Sequence, residues 1–407
     1  MGQKVLKIIH TADFHLGVSF RRIIGRNVNE TRREDFRKNI KKIFDIAIKR
    51  DVDLILISGD IFHRSDPSNR DFVFIANQIG RATEKGIYVV AIAGNHDKPK
   101  TIDSHNPLQA LVEAHAPHFY YFPSTPQKPL IININKENIR AQVGIIPIPF
   151  IDPRIVYQIG DENYSTFIGN LISKLLDKLP STIDYKILMA HLTVRGSQIR
   201  RIWSIQINEP DVARSDLKEH EFDYIALGHI HTPQEISKRI IYPGSIERID
   251  FSEADESKSI VYVELSDSGI RIERIPLECR PMISIDTIKI EDQFNPMGVL
   301  IDNLDRINIP PGSLLRLQIE TSESVWRNLE KYIDALEKYL FEGRGVLGYF
   351  IKRRMLKEAP SEKDISSQIV SLRETVLEYI KAMKIDARVK ERALELAKRI
   401  MNEVNIP

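Results

Sequence analysis

The chain has 407 residues, which exceeds the length of one typical domain and predicts two or three folded units. Its 58 Lys and Arg residues nearly balance its 56 Asp and Glu residues, so total charge gives no argument for a nucleic-acid partner. The apolar runs are shorter than the roughly 20 residues of a membrane-spanning helix, and the first residues lack the pattern of a signal peptide. A single cysteine, Cys279, cannot form an internal disulfide, which favours a reducing cytoplasm.

Short apolar runs alternate with amphipathic helical patterns over the first part of the chain. The predicted strands are Val5 to His10, Val52 to Ser58, Ile87 to Ala93, Val143 to Pro147, Lys186 to Ala190 and Tyr224 to Leu227. The predicted helices are Arg33 to Lys49, Asp71 to Lys85 and Thr166 to Leu179. Strands that alternate with helices favour a layered α/β core, which we place at residues 1–250.

The pattern changes after residue 250. Residues 259–264 and 269–276 predict a hairpin, and two further strand patterns and a helix over 324–340 complete a small α+β domain at 251–342. Three glycines and Pro360 predict a linker at 343–363.

The tail, residues 364–407, shows two helical stripes of apolar residues. One stripe runs from Ile365 to Met383, and the second contains Val389, Ala393, Leu396, Ile400 and Val404. These stripes predict two short amphipathic helices that either pack on the parent domain or dock on a partner protein. The pattern by itself leaves both possibilities open.

Polar residues typical of metal ligands follow five of the predicted strands. They are Asp13 and His15, Asp60 and His63, Asn95 with His96 and Asp97, His191, and the pair His229 and His231. Because ligands bind outside the carboxyl ends of strands in α/β sheets, we expect these loops to converge on one site. Hard oxygens and imidazole nitrogens without a thiolate suit manganese, iron or zinc.

The spacing of these residues suggests how each reaches the site. Glycines at 59, 94 and 228 precede ligand residues and allow sharp turns. Asp13 and His15 lie two residues apart, so they share a face if the segment is extended. Asp60 is the natural carboxylate to bridge two ions. Each element alone occurs by chance in many chains, whereas all five in this order favour a metal site over structural histidines.

These motifs resemble the calcineurin-like metallophosphoesterase superfamily over roughly residues 5 to 250. A closer resemblance, to the nuclease family of the Mre–Rad DNA-repair complex (SbcD-like), is carried by His10 to Gly17, Gly59 to His63, Ala93 to Asp97, Gly228 to His231 and Pro243 to Arg248. It implies a four-layer β-sandwich flanked by helices, a small α+β capping domain and a C-terminal helical tail that docks a coiled-coil ABC-type ATPase. It also implies a homodimer and a cytoplasmic, nucleoid-associated enzyme.

The same resemblance implies the roles of the site residues. Two Mn2+ ions would be held by Asp13, His15, Asp60 and His231 on one side and by Asp60, Asn95, His191 and His229 on the other. His96 would position the phosphate or donate a proton next to it. His63 would help to orient the DNA. The alternative for His63 is a supporting hydrogen bond to a metal ligand. The implied activity is cleavage of double-strand-break ends, both as a 3'-5' exonuclease and as a single-strand endonuclease.

Contact with DNA needs local cations because the chain is neutral in total. Residues 17–42 contain nine Lys and Arg residues, and a second cluster follows His191. The candidate DNA-binding residues are Arg21, Arg22, Arg26, Arg195, Arg200 and Arg201. For Lys38 to Lys42, a solvated helix face explains the charges equally well.

Two other functions are compatible with parts of this pattern. A phosphoesterase acting on nucleotides or phosphoproteins would share the ligands without needing the basic clusters or a docking tail. A non-catalytic polymerase subunit would be expected to have lost ligands, whereas every ligand position is filled here.

Overall fold

The computed structural model describes residues 4–98, 106–136, 139–159, 163–199, 210–292, 294–356, 377, 380 and 387–403. These residues form two compact units. Unit 1 contains Met1–Asp286, Ile307–Gln318 and Asp334–Lys352, and unit 2 contains Thr287–Arg306, Ile319–Ile333 and Arg353–Pro407.

Strands and helices alternate through the first two hundred or so residues, as the sequence predicts. The strands are β1 Val5–Thr11, β2 Leu54–Ile57, β3 Tyr88–Ile92, β4 Phe119–Phe122, β5 Leu130–Lys136, β6 Ile139–Ile148, β7 Tyr185–His191, β8 Tyr224–Gly228, β9 Gln234–Glu235, β10 Ile240–Tyr242, β11 Ser259–Ser266, β12 Gly269–Pro276, β13 Met282–Ser284, β14 Ile288–Ile290, β15 Leu314–Thr321 and β16 Gly348–Met355. The helices are α1 Val28–Lys49, α2 Asn69–Thr83, α3 Pro107–Glu113, α4 Pro153–Ile159, α5 Tyr164–Leu176, α6 Pro296–Asp305, α7 Glu323–Glu330, α8 Ile333–Lys338 and α9 Ala387–Glu403.

Two six-stranded sheets form the centre of unit 1. The first has the order β12-β11-β1-β2-β3-β4, and the second has the order β5-β6-β7-β8-β10-β9. Strands β1 to β4 are parallel, as are β6, β7, β8 and β10. Each set of parallel strands therefore ends at one edge of its sheet, where the loops that follow can meet.

The alternation of side chains along each strand creates separate apolar cores. Leu54 and Leu56 of β2 pack in the core between the sheets, together with Ile187 of β7. Ile55 and Ile57, on the opposite face of β2, belong to the core under the first layer of helices. Residues on the outer face of the second sheet pack in the same way against α5. The four-layer α/β sandwich predicted from the sequence is confirmed.

Helix α1 shows why these segments are helical. Its stripe of Phe36, Ile40, Ile43, Phe44 and Ala47 is completely buried against the first sheet. Helices α2 and α5 begin at side-chain caps, since Ser68 accepts a hydrogen bond from the backbone N–H of Asp71 and Asn163 accepts one from that of Ser165.

The hairpin β11–β12 lies in the first sheet of unit 1, whereas the sequence pattern placed it in the capping domain. Strand β11 is apolar on both faces and pairs antiparallel with β1, with Ile8 opposite Val263. A strand buried on both sides needs a neighbour and two covering layers, and the sheet of the core supplies all of these. Unit 1 accordingly continues past residue 250 to Asp286.

Residues 348–355, predicted as part of a linker, form strand β16. Tyr349 is fully buried, and its backbone exchanges two 2.8 Å hydrogen bonds with Ile24. The glycines near this strand allow close packing here: a Cβ on Gly348 would lie 2.6 Å from Ile23. Gly348 is therefore explained by tight contact within a folded unit instead of an unstructured connection.

Unit 2 has its own small α+β core. Strand β14 pairs in parallel with the end of β15, Ile288 opposite Ile319, helix α6 packs on β14 and helix α7 packs on α6. Helix α9 contains the second predicted stripe of the tail as far as Ile400, while Val404 and almost all of the first stripe up to Met383 lie outside the described residues. Within the described parts of the chain, no helix has both the length and the apolar composition needed to cross a membrane.

Candidate metal centre

The strand ends that carry the predicted ligands meet at one place in unit 1. Loops after β1, β2 and β3 of the first sheet approach the ends of β7 and β8 of the second sheet. All seven predicted ligand positions are brought together there: Asp13, His15, Asp60, Asn95, His191, His229 and His231. Six of the seven side chains are buried, and Asn95 is half-buried.

On one side of this cluster, His15 Nε2 lies 3.0 Å from His231 Nε2 and 3.6 Å from Asp60 Oδ2. One ligand atom from each of Asp13, His15 and His231 falls within 4.8 Å of the others, which is close enough for one ion. The four residues that the sequence grouped around a first ion are therefore neighbours in space.

On the other side, Asn95 Oδ1 lies 3.1 Å from both His191 Nε2 and His229 Nδ1. Asp60 Oδ2 lies 3.5 Å from His191 Nε2, so this carboxylate reaches both sides of the cluster. Asp13 also lies within ligand distance of Asp60 and His191; the ligand grouping in the sequence analysis placed Asp13 with Asp60 but not with His191. Asp60 and Asp13 together form the centre of the arrangement.

The imidazole rings are oriented so that lone pairs face inward. His191 Nδ1 donates to the carbonyl oxygen of Ser58 at 2.8 Å, and His231 Nδ1 donates to Glu253 Oε1 at 2.9 Å. Each bond places a proton on Nδ1 and directs Nε2 at the cluster, where Nε2 can bind a metal ion once its own proton has left. Carboxylate oxygens, an amide oxygen and unprotonated imidazole nitrogens form a donor set that fits divalent transition-metal ions.

The backbone at the ligands adopts strained turns instead of the extended conformation expected for Asp13 to His15. Asp13, His15, Asp60 and His229 have positive φ angles of 53°, 44°, 51° and 97°. Each such residue costs about 1–3 kcal/mol, and the surrounding hydrogen bonds must maintain it. Among them, Asp13 N–H donates to the Gly59 carbonyl at 3.0 Å and His15 N–H to the Asp60 carbonyl at 2.9 Å.

Two glycines provide the space for this convergence. Gly59 has a φ of +97°, and a Cβ there would lie 2.1 Å from His191 Nδ1. Gly94 has no such φ angle, but a Cβ there would lie 2.0 Å from Asp60 Oδ1. The expected sharp turn is present at Gly59, whereas Gly94 is required because the carboxylate approaches its backbone so closely.

Burial and neighbouring charges shift the pKa values of the cluster. Burial opposes ionisation of Asp60, but His191 and His15 outweigh it and hold the Asp60 pKa well below its ordinary value. Burial also opposes the charged form of His191, yet the nearby carboxylates Asp60 and Asp13 raise its pKa to about 9. The negative charge of the carboxylates and the positive charge of the imidazoles thus offset each other in the cluster. A metal ion would compete with protons for the same lone pairs.

The two predicted catalytic histidines lie beside the cluster and are half-buried. His63 and His96 are stacked with ring centroids 4.9 Å apart, and His96 Nδ1 donates to the His63 carbonyl at 2.9 Å. The His96 backbone N–H donates to Asp60 Oδ1 at 2.9 Å, which ties His96 to the centre of the cluster. Burial and the proximity of His96 lower the His63 pKa to about 4, so His63 is neutral at physiological pH.

Asp97 supports the loop instead of contributing a ligand. Its carboxylate accepts hydrogen bonds from the backbone N–H groups of Ile61 and Phe62 at 2.8 and 2.7 Å. Burial and the charge of Asp60 raise the Asp97 pKa to about 7. These contacts hold the turn on which Asp60 sits.

The predicted DNA-binding arginines have different environments. Arg21, Arg22 and Arg26 are exposed in the segment after β1. Arg195 is exposed and lies 3.0 Å from Asp211, while Arg200 and Arg201 lie outside the described residues. Within the same basic segment, Arg32 and Arg37 are buried: Arg32 bonds to Asp35 and Arg37 to Asp71, each at 2.8 Å. These two arginines support the fold and are not available to phosphates.

Sequence reasoning missed several residues that support the cluster. His10 is buried, hydrogen-bonds to Tyr224 of the second sheet and to Ser58 after the neighbouring strand β2, and burial lowers its pKa to about 3. Glu253 and Lys258 are buried next to His231. The only available signal was their position beside recognised motifs, because contacts between distant segments leave no local pattern.

The calcineurin-like phosphoesterase family model matches residues 6–233, more than half of the chain, and the match includes all seven converging positions. This chain belongs to the calcineurin-like phosphoesterase family. The fold of this phosphoesterase family implies a dinuclear divalent-metal site, and the cluster contains its candidate ligands.

Two curated archaeal proteins are similar to this phosphoesterase, and both are named DNA double-strand break repair protein Mre11. The protein of Archaeoglobus fulgidus is 30% identical over 259 residues, 62% of this chain and 52% of that protein. The protein of Sulfurisphaera tokodaii is 27% identical over 303 residues, 72% of this chain and 68% of that protein. The match thus spans about half of the first relative and two thirds of the second.

Solved structures similar to this phosphoesterase include GAP50, the anchor in the inner membrane complex of Plasmodium. It aligns with a TM-score of 0.41 and 15% identity over 67% of this chain and 85% of that chain. A dimetal phosphatase from Danio rerio aligns with a TM-score of 0.37 and 10% identity over 68% of this chain and 100% of that chain.

Proposed function

We propose that this phosphoesterase is a manganese-dependent DNA nuclease that processes the ends of double-strand breaks. The observation that carries this proposal is the similarity to two DNA double-strand break repair proteins, one of which aligns over 72% of the chain. The alignment accompanies a complete set of candidate metal ligands, which an active hydrolase needs and a degenerate subunit does not.

The proposed ligand sets are those of the sequence analysis. Asp13, His15, Asp60 and His231 hold one ion, and Asp60, Asn95, His191 and His229 hold the other. The position of Asp60 Oδ2, 3.6 Å from His15 Nε2 and 3.5 Å from His191 Nε2, supports Asp60 as the shared ligand. When bound, the two ions supply Lewis-acid charge that offsets the negative charge developing on the phosphoryl oxygens.

His96 and His63 act on the phosphodiester in this proposal. With Nδ1 of His96 donating to the His63 carbonyl, its Nε2 is left to approach the substrate. As an imidazolium, His96 donates the Nε2 proton to the departing ribose oxygen, and as a neutral ring it accepts a hydrogen bond. His63, stacked on His96 and neutral, orients the DNA strand beside it.

The DNA backbone is held by arginines near the centre. Arg21, Arg22 and Arg26 are exposed in the segment that directly follows the Asp13–His15 loop, and this position supports phosphate contacts. Arg195 follows His191 along the chain and serves in the same way, with Arg200 and Arg201 assigned from the sequence alone.

The partners and the location are part of the same proposal. A coiled-coil ABC-type ATPase docks on the C-terminal helices, and the nuclease acts as a homodimer associated with the nucleoid. The exposed residues Val389, Leu396 and Ile400 follow helical spacing on one side of α9 and support an apolar docking surface. A capping role is also proposed for the part of residues 251–342 that lies in unit 2, since the hairpin β11–β12 belongs to the first sheet of unit 1.

The test compares DNA with small phosphoesters under the same conditions. End-labelled linear duplex and single-stranded DNA are incubated with the protein and Mn2+, Mg2+ or Zn2+, in parallel with bis-p-nitrophenyl phosphate and nucleotides. We expect manganese-dependent shortening of linear DNA, with label release from opposite ends reporting 3'-5' polarity. Closed circular single-stranded DNA measures the endonuclease activity separately.

The Asp60→Ala variant serves as the control for contaminating nucleases, because it removes the shared ligand. Efficient hydrolysis of nucleotides or phosphomonoesters without DNA cleavage would contradict the proposal and favour the broader phosphatase function.

A further inference from the structure

A buried carboxylate outside the metal-ligand motifs lies next to His231, on the side of the ring that carries Nδ1. Glu253 follows the Pro243 to Arg248 motif, in the segment between β10 and β11, and its side chain is fully buried. Its Oε1 accepts the hydrogen bond from His231 Nδ1 at 2.9 Å. Glu253 is therefore the only group among the described residues that is seen to bond the outer nitrogen of this ring.

The second oxygen of Glu253 is fixed by groups from its own segment. Oε2 lies 2.7 Å from Lys258 Nζ and accepts hydrogen bonds from the Ile249 N–H at 3.2 Å and from Ser245 Oγ at 3.4 Å. Lys258 Nζ also donates to the His231 carbonyl at 3.1 Å and to Glu256 Oε2 at 2.6 Å. Lys258 thus holds both the carboxylate and the backbone of the histidine that the carboxylate contacts.

Packing alone does not explain this arrangement. Burying a carboxylate and an ammonium group costs desolvation energy that their attraction barely repays, and apolar side chains of similar size often stabilise a fold better. A carboxylate behind a metal-ligating imidazole has a specific effect, because it keeps the proton on the outer nitrogen and makes the inner nitrogen a stronger donor.

His191, on the other side of the cluster, has no such carboxylate on its outer nitrogen within the described part of the chain, so the effect on the ring is specific to the His231 side. His191 Nδ1 donates to a neutral backbone carbonyl, that of Ser58, whereas His231 Nδ1 donates to a charged carboxylate. An ionised acceptor polarises the ring more strongly than a neutral one. The two halves of the cluster therefore contain histidines of unequal donor strength.

We propose that Glu253, held in place by Lys258, is a positioning residue that fixes the His231 ring with Nε2 facing Asp13 and His15 and strengthens binding of one of the two metal ions. This inference rests on the proposed metal role of His231. It concerns metal affinity and the protonation of one ring, so it is tested without reference to DNA cleavage.

The primary experiment measures manganese binding to the full chain by isothermal titration calorimetry. We expect Glu253→Gln to weaken one of the two binding events by about 10–100-fold, as for other outer partners of metal-ligating histidines. Glu256→Gln is the matched control, because Glu256 also contacts Lys258 but reaches Thr232 instead of His231. The control should keep both affinities within about threefold of wild type, since the His231 contact is intact.

A second variant addresses folding. Glu253→Gln removes one of the two carboxylates that contact Lys258, so Glu253→Gln/Lys258→Met removes both members of this ion pair and is compared by thermal unfolding without metal. The double variant should unfold cooperatively and still lose affinity for the same single ion. A folded double variant that binds both ions as wild type does would overturn the proposal, as would equal losses in Glu256→Gln.

The ring itself gives a readout that a purely structural role would not change. In metal-free protein labelled with 15N-histidine, at a pH high enough for the ring to be neutral, the His231 resonances should show the proton on Nδ1 in wild type and a shift towards the Nε2–H form in Glu253→Gln. An unchanged tautomer in the variant would contradict the inference. Failure of wild type to bind two ions would instead contradict the proposed metal centre.

Discussion

The cluster of candidate ligands and the basic segment at residues 17–42 are both rich in residue types that commonly have functional roles. They differ in whether the fold brings those residues together at one site. Every ligand position in the cluster converges on one centre. In the basic segment, Arg21, Arg22 and Arg26 are exposed, while Arg32 and Arg37 are buried in ion pairs with the fold.

The difference lies in what positions each set of residues. The ligands follow parallel strands, and sheet geometry places the ends of parallel strands together whatever the rest of the chain does. The basic residues lie on a loop and on helix α1, where consecutive side chains point in different directions and only some reach solvent. Local charge density is therefore a weaker guide to function than position at a strand end.

Among these variants, Asp60→Ala should have the largest effect on the metal cluster. We expect loss of both metal binding and cleavage, because the Asp60 carboxylate lies close to a ligand histidine on each side of the cluster, 3.6 Å from His15 and 3.5 Å from His191. Metal titration together with a DNA cleavage assay measures the two effects. If this variant still bound two metal ions tightly, Asp60 would not be the bridging ligand.

His96→Ala separates chemistry from metal binding. Loss of a general acid typically costs about 10²–10⁴-fold in rate, and we expect a decrease of that size with metal affinity largely retained. Single-turnover cleavage and metal titration on the same preparation provide the measurement. Near wild-type cleavage would show that His96 has no part in the reaction.

Arg32→Met tests whether the buried arginines of the basic segment are structural. Arg32 and Glu247 are both buried and 3.3 Å apart, so the variant leaves Glu247 without this charge partner. Breaking such a pair typically costs about 3–5 kcal/mol of unfolding free energy. Denaturant unfolding measures it, and an unchanged midpoint would contradict the assignment.

Metal removal should lower stability without unfolding the protein. A ligand that binds only the folded state at 100 times its dissociation constant adds about 2.7 kcal/mol. We therefore expect the unfolding temperature to rise on addition of Mn2+ and to fall back with a chelator. Asp60→Ala should lack this rise, and its presence there would indicate binding elsewhere.

The smallest effect concerns the exposed arginines. We expect Arg21→Ala/Arg26→Ala to weaken DNA binding and to reduce the slope of log affinity against log salt by about 0.9 for each lost phosphate contact. Fluorescence anisotropy at several salt concentrations measures both. Lys38→Ala/Lys41→Ala is the matched control, since these lysines lie near Glu278 and Asp45 and the charge change is the same. Equal losses in the two variants would assign DNA contact to the whole segment.

Sequence patterns predicted the core of unit 1 well and the later part of the chain less well. Strands such as Leu54–Ile57 are continuous apolar runs between turn signals, and such runs can be recognised from the local sequence. The hairpin β11–β12 was recognised but placed in the capping domain instead of the first sheet of unit 1, because the pairing between Ile8 and Val263 joins segments far apart in the chain. The segment predicted as 282–290 divides into β13 and β14, which pair with different parts of β15.

The amino-acid sequence by itself determined the layered α/β core and the identity of the residues at the five strand ends, because periodicity and strand-end position are local properties. Tertiary structure decided the rest. Only the folded chain shows that Asp60 reaches both halves of the cluster, that Arg32 is internal and that Glu253 lies behind His231. Distances between segments depend on how sheets and loops pack, and no local pattern in the sequence records them.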